Sequence, residues 1–285
     1  MSIRTTVAAA AVLTAIAHAQ DEAPAVQGTL SLDLPSAYFF RGMQQEDQGL
    51  IVQPAIELQW ALYRPDEDGP LGPIDLHFGT WNSFHRGPTG SDGAGDAWYE
   101  ADLFAGVSIG IADRLALGAQ WARFGSPNST WSAMEETTLT LGFDDHDLLG
   151  EGFAGLQPSL LVAIETEGQG DLGGKRGSYL QIGIEPSIAL GSGEEDEDGT
   201  PITISFPFAV GLSLGDYYER PSDGRDARFG FVDLGAVISA PLGFLPGAWE
   251  GNLGVHLLFL GDATREMNGG DDTQMIVSLG FSTAF

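Results

Sequence analysis

The stretch QMIVSLGFSTAF, Gln274 to Phe285, alternates without a break: Val277, Leu279, Phe281, Thr283 and Phe285 fall on one face, and Ser278, Gly280, Ser282 and Ala284 on the other. A two-residue period marks a β-strand, because successive side chains leave a pleated strand on opposite sides. The last residues of a soluble domain ordinarily fray and are polar. An apolar strand carried to a final phenylalanine therefore predicts an end held in place by pairing.

The same period recurs upstream. In LIVQPAIELQWALY, Leu50 to Tyr63, the residues Val52, Pro54, Ile56, Leu58, Trp60 and Leu62 oppose Gln53, Ala55, Glu57, Gln59 and Ala61. SYLQIGIEPSIAL, Ser178 to Leu190, and PITISFPFAVGLSLG, Pro201 to Gly215, alternate in the same way. Further strands are predicted near Gly28 to Phe40, Ile74 to Phe84, Asp96 to Gly110, Arg114 to Phe124, Met134 to Phe143, Ala154 to Glu165, Arg228 to Ala240 and Trp249 to Leu260, which with Thr273 to Phe285 makes twelve. The 40 Gly and 15 Pro among 285 residues suit many strands joined by turns, and no long helical pattern competes.

The opposite terminus, MSIRTTVAAAAVLTAIAHAQ, has one charge at Arg4, an apolar run from Val7 to Ile16 and a small-x-small site at Ala17-His18-Ala19. These are the parts of a secretory signal peptide, and the run is shorter than the roughly 18 apolar residues of a membrane-spanning helix. The expectation is a cleaved signal over residues 1–19 and one unit over 20–285. An exported chain with no Cys holds its fold by pairing and packing alone. Removing Arg4 with the signal moves the formal charge from −28 to −29, which disfavours nucleic acid and other anionic partners.

Alternation by itself fits a soluble sandwich or a membrane barrel. Strand length separates them: a tilted transmembrane strand needs about 9 to 11 residues, whereas strands of globular sheets are nearer about 5 or 6. Most segments here have the longer length. An even-stranded barrel brings both ends to the periplasmic side and pairs its last strand with its first, leaving no edge. The fold class expected is all-β: a single antiparallel transmembrane β-barrel of about 12 strands in a bacterial outer membrane. Short turns such as Gly110 to Asp113 are then periplasmic, and longer segments such as His85 to Asp96 and Asp216 to Ala227 lie outside.

A final Phe on an alternating strand resembles the C-terminal signature of bacterial outer-membrane barrels, which the outer-membrane assembly machinery reads. That resemblance assigns Phe281 and Phe285 to an assembly signal. The stretch SAYFFRGMQQEDQGLIVQPAIELQW resembles the opening of the TorF family of porin-like proteins, in which a strand ends in a Tyr-x-Phe-Arg-Gly-like motif and a Gln-containing loop leads to the second strand. Tyr38, Phe40, Arg41, Gly42, Gln45 and Gln53 match in kind, while the proline usual before the second strand comes later, as Pro54. The resemblance implies a diffusion pore with no catalytic residues.

For Arg41-Gly42 two roles stand open. Gly42 permits a positive φ where the strand turns, with Arg41 forking onto nearby carboxylates such as Glu46 or Asp47. Alternatively Arg41 lines a constriction and sets selectivity. On the faces opposite the apolar ones lie Asp33, Glu57, Asp75, Glu100, Asp102, Glu136, Glu165, Glu185 and Asp233, with His77 and His256 and almost no Lys or Arg. Burying unpaired carboxylates costs several kcal/mol each, so these pore-lining candidates must be wet or matched by cations, and water is the simpler solution. The competing placement is the solvated face of a sandwich.

A hydrolase at the outer rim would need Ser and His on one patch with an orienting partner. Only His85, with Ser83, Ser91 and Asp92, is positioned for it, and no spacing marks a triad. His146 sits in an acidic turn. The acidic run Glu194 to Asp198 lacks the calcium-loop pattern and reads as a solvated hairpin. The Gly-rich loops precede no helix and cradle no phosphate. Aromatics such as Trp60, Tyr63, Trp81, Trp98, Tyr99, Trp121, Trp131, Tyr217, Tyr218 and Trp249 are expected in interfacial belts. The function expected is passive diffusion of small hydrophilic solutes with a cation preference. A plugged structural or interaction barrel is the alternative, and a rim hydrolase a lesser one. No metal or cofactor is implied; the partners are outer-membrane lipids, the assembly machinery and the solutes.

Overall fold

The computed structural model describes residues 25–65, 69–90, 96–150, 153–171, 173–190 and 202–285. The signal-peptide segment and the acidic run Glu194 to Asp198 lie outside them. The wall begins with β1 (Val26–Pro35), β4 (Ile51–Tyr63), β5 (Leu71–His85), β6 (Trp98–Ile111), β7 (Leu115–Gly125), β8 (Met134–Phe143) and β9 (Ser159–Glu167), each antiparallel to the next. It continues through two interrupted strands, β10 with β11 (Ser178–Ile184, Ser187–Leu190) and β12 with β13 (Ile202–Ser205, Phe208–Gly215). Then come β14 (Phe229–Pro241), β15 (Trp249–Leu260) and β16 (Thr273–Ala284), and β16 pairs back onto β1. The result is a closed antiparallel barrel of twelve staves.

The two interruptions have one cause. Pro186 and Pro207 have no N–H to give to the ladder, so each ends a run of regular pairing. The strands stay joined there because the Phe206 N–H donates to the Pro186 carbonyl (2.9 Å) and the Gly235 N–H to the Pro207 carbonyl (2.7 Å).

Closure is completed at the last residue. The Phe285 N–H donates to Gly28 O (2.9 Å) and the Gly28 N–H to Phe285 O (2.8 Å). The Phe285 ring lies over Gly28, where an added Cβ would stand 2.4 Å from Cζ, so the absence of a side chain on Gly28 makes room for the ring. Phe281 shares its strand face with Val277 and Leu279 and pairs with Leu32.

Side-chain direction tells a barrel in lipid from a sandwich. Mid-strand apolar residues point out and stay open: Phe78, Leu103, Leu139 and Leu253 are each at least half exposed. The carboxylates, Gln53 and Ser108 point in and are buried or half-buried. A soluble protein does not leave an apolar surface of this extent uncovered. Trp60, Tyr63, Trp98 and Trp121 are outward and exposed, as a belt requires, and Phe84 stacks on Trp98 with centroids 5.9 Å apart. Trp81, Tyr99, Tyr217 and Tyr218 are not belt residues; all four are buried.

Both ends of the chain's pairing, Val26 and Ala284, lie at one end of the barrel, with the turn at Gly110 to Asp113, where the Ala112 N–H donates to Pro70 O (3.1 Å). Segments 86–97 and 216–228 join strands at the other end, as expected. The main departure is in the first loop. The strand expected to run from Gly28 to Phe40 stops at Pro35, and Tyr38 to Glu46 forms a separate two-stranded hairpin, β2 (Tyr38–Phe40) and β3 (Met43–Glu46). The hairpin turns inward and occupies the loop end of the lumen. A one-turn helix, α1 (Asp262–Met267), lies above it in the last loop.

The terminal contact yields a prediction. Phe285→Asp removes the ring over Gly28 and puts a charge at the rim; synthesis is retained while heat-modifiable gel mobility, which reports the closed barrel, falls. Wild-type mobility and yield for this variant would show that the terminal ring is dispensable.

Candidate functional site

The hairpin is bound on every side by groups far away in sequence. At its tip Arg41 (φ 49°) and Gly42 (φ 83°) are both left-handed, which a tight two-residue turn requires. Gly42 also faces Phe231, whose Cδ1 would stand 3.0 Å from an added Cβ. This turn delivers the Arg41 guanidinium to the opposite wall. Its Nη1 and Nη2 groups donate to the two carboxylate oxygens of Glu136 on β8 (2.6 and 2.7 Å), and Nη1 also donates to the Tyr217 hydroxyl (2.8 Å). The guanidinium carbon lies 4.3 Å from the Tyr179 ring centroid and 4.9 Å from that of Phe40. Thr138 Oγ1 donates to Glu136 Oε1 (2.9 Å), and the Tyr218 hydroxyl donates to Arg41 O (2.9 Å).

Arg41 is 6% exposed and Glu136 1%, so this pair lies out of water. Burial by itself would lower the pKa of Arg41, but Glu136 beside it holds the guanidinium well above its ordinary value. Burial raises the phenols of Tyr217 and Tyr218 well above theirs, so both stay neutral, Tyr217 accepting from Arg41 and Tyr218 donating to its carbonyl. Arg41 therefore carries a fixed charge across the lumen. Its partner is neither of the nearby carboxylates expected, Glu46 or Asp47, but Glu136, 95 residues on.

Four further ties hold the hairpin. The Tyr38 hydroxyl donates to Glu100 Oε2 (2.9 Å), and the Tyr99 hydroxyl to Gln45 Oε1 (2.6 Å). Asn268, after α1, clasps the turn: its Nδ2 donates to Gly42 O (2.7 Å) and its Oδ1 accepts from the Gln44 N–H (2.8 Å). Glu46 accepts from the N–H groups of Asp47 and Gln48 (both 3.0 Å) and from the N–H and Oγ1 of Thr89 (2.9 and 2.7 Å). Burial pushes the Glu46 pKa up, but hydrogen bonds from Thr89, Gln48 and Asp47 outweigh it and hold the group below its ordinary value.

Thr89 extends this tie into the wall. His85 Nδ1 is 2.7 Å from Thr89 Oγ1, and His85 Nε2 is 2.7 Å from Ser83 Oγ. Gln53 Nε2 donates to Ser83 Oγ (3.2 Å), and Tyr99 stacks on the His85 ring at 4.3 Å. Because Thr89 Oγ1 gives its proton to Glu46, it accepts from His85 Nδ1–H, which leaves Nε2 to accept from Ser83. The serine and histidine singled out in the sequence do meet, in a relay running from Glu46 to Ser83. Both are fully buried, which suits a clamp between hairpin and wall. Ser91 and Asp92 lie outside the described residues.

The nine acidic candidates all take inward-facing positions in the wall, but they divide by burial. At the loop end Glu100 and Glu136 bind the hairpin. Glu165 accepts the Gly177 N–H (2.6 Å) and the Gly170 N–H, fixing the loop after β9. Asp75 pairs with Arg64 (2.6 Å), Asp233 meets His256 Nδ1 (3.0 Å), and Asp102 is buried in β6. Asp33, Glu57 and Glu185 are only half-buried. Matching by cations and hydrogen bonds thus takes the place of water for several of the buried carboxylates. Sequence reasoning missed the inward course of the hairpin. The signal available was Arg41 itself, a cation flanked by aromatics in a chain whose wall carries almost none.

Above the hairpin a cavity of about 680 Å³ opens toward the loop end, lined by residues of the hairpin, β6, β7, β8 and four loops. The barrel, its apolar exterior and its acidic, hairpin-filled interior define a β-barrel of the outer-membrane kind. No family model and no curated protein matches the sequence. Among solved structures, one from a study of in-meso crystallization of membrane proteins aligns with 91% of this chain and 84% of its own at TM-score 0.48 and 10% identity. The transport unit of the autotransporter AIDA-I from Escherichia coli aligns over 97% of both chains at TM-score 0.43 and 12% identity. A porin refined at 1.8 Å aligns over 91% of this chain and 99% of its own at TM-score 0.32 and 10% identity. At these scores the likenesses carry no conclusion about function.

Two predictions follow from the hairpin's ties. Arg41→Ala strands Glu136 as a buried, unmatched charge and is expected to cost about 3 to 5 kcal/mol in urea-unfolding free energy, with a large part recovered in Arg41→Ala/Glu136→Ala. Additive losses would mean that the pair is not coupled. Because the folded pKa of Glu46 lies below its unfolded value of about 4.3, its contribution is full above that pH and is lost as pH falls through the folded value. Protection of the Gln48 and Thr89 amides against hydrogen exchange, corrected for intrinsic rate, should therefore persist at pH 6 and collapse in acid. Glu46→Gln should reduce it already at neutral pH.

Proposed function

We propose that this chain is an outer-membrane barrel through which small hydrophilic solutes diffuse, cations ahead of anions, and that its first-loop hairpin throttles the path. The observation that carries this is the hairpin itself. An acidic lumen exists, and its loop end is filled by one short segment held by polar ties rather than by the wall's own side chains. Fixed carboxylates raise the local cation concentration within a Debye length, about 8 to 10 Å at physiological salt, a distance comparable to a narrow lumen. Asp33, Glu57 and Glu185 are the groups best placed to act on a passing ion. The resemblance of the Tyr38 to Gly42 motif to the TorF family agrees with this role.

A second function is favoured by one specific observation, the near-complete burial of Arg41 and Glu136. If that pair never parts, the barrel is a plugged anchor for a partner at either membrane face. The rim hydrolase finds less support, since Ser83 has no exposed surface for a substrate to reach.

Planar-bilayer recording distinguishes these. The wild-type protein is expected to give small, infrequent steps with a cation-selective reversal potential that weakens at high salt. Deleting residues 38–46 should enlarge the steps severalfold and keep their sign. A silent wild type with a conducting deletion variant would establish the plug; anion selectivity, or silence from both proteins, would remove the pore altogether.

A further inference from the structure

We propose that the cavity above the hairpin is a binding site for a small organic ammonium ion whose body carries an oxygen acceptor. Its volume of about 680 Å³ lies within the range of small-molecule sites. Tyr99, Phe124 and Trp131 supply aromatic surface, and Met43 and Met134 add polarizable thioethers. Among its described lining residues the charged ones are Glu100 and Asp171, both acidic, and no Lys, Arg or His stands with them.

That combination selects by charge and by shape. An anion would meet two carboxylates and no cation. A metal ion prefers a crowd of oxygen ligands, and the two carboxylates are already engaged: Asp171 accepts the N–H groups of Gly173 (2.8 Å) and Glu219 (2.9 Å), and Glu100 accepts the Tyr38 hydroxyl. An alkylated ammonium is weakly hydrated, gains from the faces of aromatic rings and needs only a carboxylate nearby. Among the described residues the indole N–H of Trp131 is buried and has no acceptor. Tyr99 lies beside that ring, with centroids 6.2 Å apart and tilted. An oxygen on the bound molecule, seated against Trp131, supplies the acceptor and so adds a second requirement to the positive charge.

This site stands whether or not the barrel conducts, because it concerns equilibrium binding to the folded protein. The test uses acetylcholine and its uncharged isostere 3,3-dimethylbutyl acetate as probes, titrated calorimetrically into the purified full-length barrel at low salt. Acetylcholine is expected to bind at least about fivefold more tightly than the neutral ester. Glu100→Gln should weaken acetylcholine several-fold while leaving the ester unchanged, and Trp131→Phe, which keeps a ring but loses the N–H, should weaken both. Heat-modifiable mobility shows that each variant has closed. If Glu100→Gln fails to close, the comparison of the two probes on the wild-type protein still decides. Equal affinity for both probes, binding of neither, or binding indifferent to Trp131→Phe would overturn the proposal.

Discussion

A wall that faces hydrocarbon can leave no backbone N–H or C=O unpaired, and that constraint governs the rest of this molecule. It explains why β16 must meet β1, why pairing runs as far as Phe285, and why the prolines of the β10/β11 and β12/β13 staves are bridged by neighbouring donors. It also inverts the usual distribution of side chains. With the apolar residues committed to the outside, the interior receives what remains, and in this sequence what remains is acidic.

An acidic interior is stable only if its charges are hydrated or matched, and much of this row is matched by the protein itself. Asp33, Glu57 and Glu185 are the half-buried members of the row. Toward the loop end the polypeptide itself supplies the match: Arg41 for Glu136, the Tyr38 hydroxyl for Glu100, loop N–H groups for Glu165. The pairing of Arg41 with Glu136 is bidentate and enclosed by rings, the geometry for which a guanidinium is suited and an ammonium is not. Lysine at that position would lose both the fork and the stacking on Tyr179.

Twelve staves, their outward faces and the inward row of carboxylates were all legible in the sequence, because a two-residue period fixes which side each residue takes. The interruptions at Pro186 and Pro207 were legible in principle, since both prolines stand inside segments that read as continuous strands. The hairpin was not. Tyr38, Phe39 and Phe40 look like three more residues of an apolar strand, and only long-range partners turn them inward: Glu136, Tyr217 and Asn268 cannot be assigned to Arg41 or Gly42 from local pattern. The contact of Ser83 with His85 was visible as an i, i+2 pair on one strand face, but Thr89 and Glu46, which give the ring its tautomer, come from a loop and from the hairpin. Of the ten aromatics, Trp60, Tyr63, Trp98 and Trp121 followed the belt pattern, whereas Trp81, Tyr99, Tyr217 and Tyr218 are buried around the hairpin.

The hairpin's partners also order events in time. Tyr38, the Nη1 group of Arg41 and the carbonyl of Gly42 find their partners 62, 95, 176 and 226 residues further along the chain. Although the segment is made early, just after the first stave, its seat is not assembled until β8, the loop after β13 and the segment after α1 have all arrived. Contacts of such long sequence separation form late, because the entropy of closing the intervening chain must first be offset by other pairings. The hairpin is therefore the keystone rather than the seed of this fold: a ring missing a stave has no complete bed for Arg41, and its charge stays in water until the circle is whole.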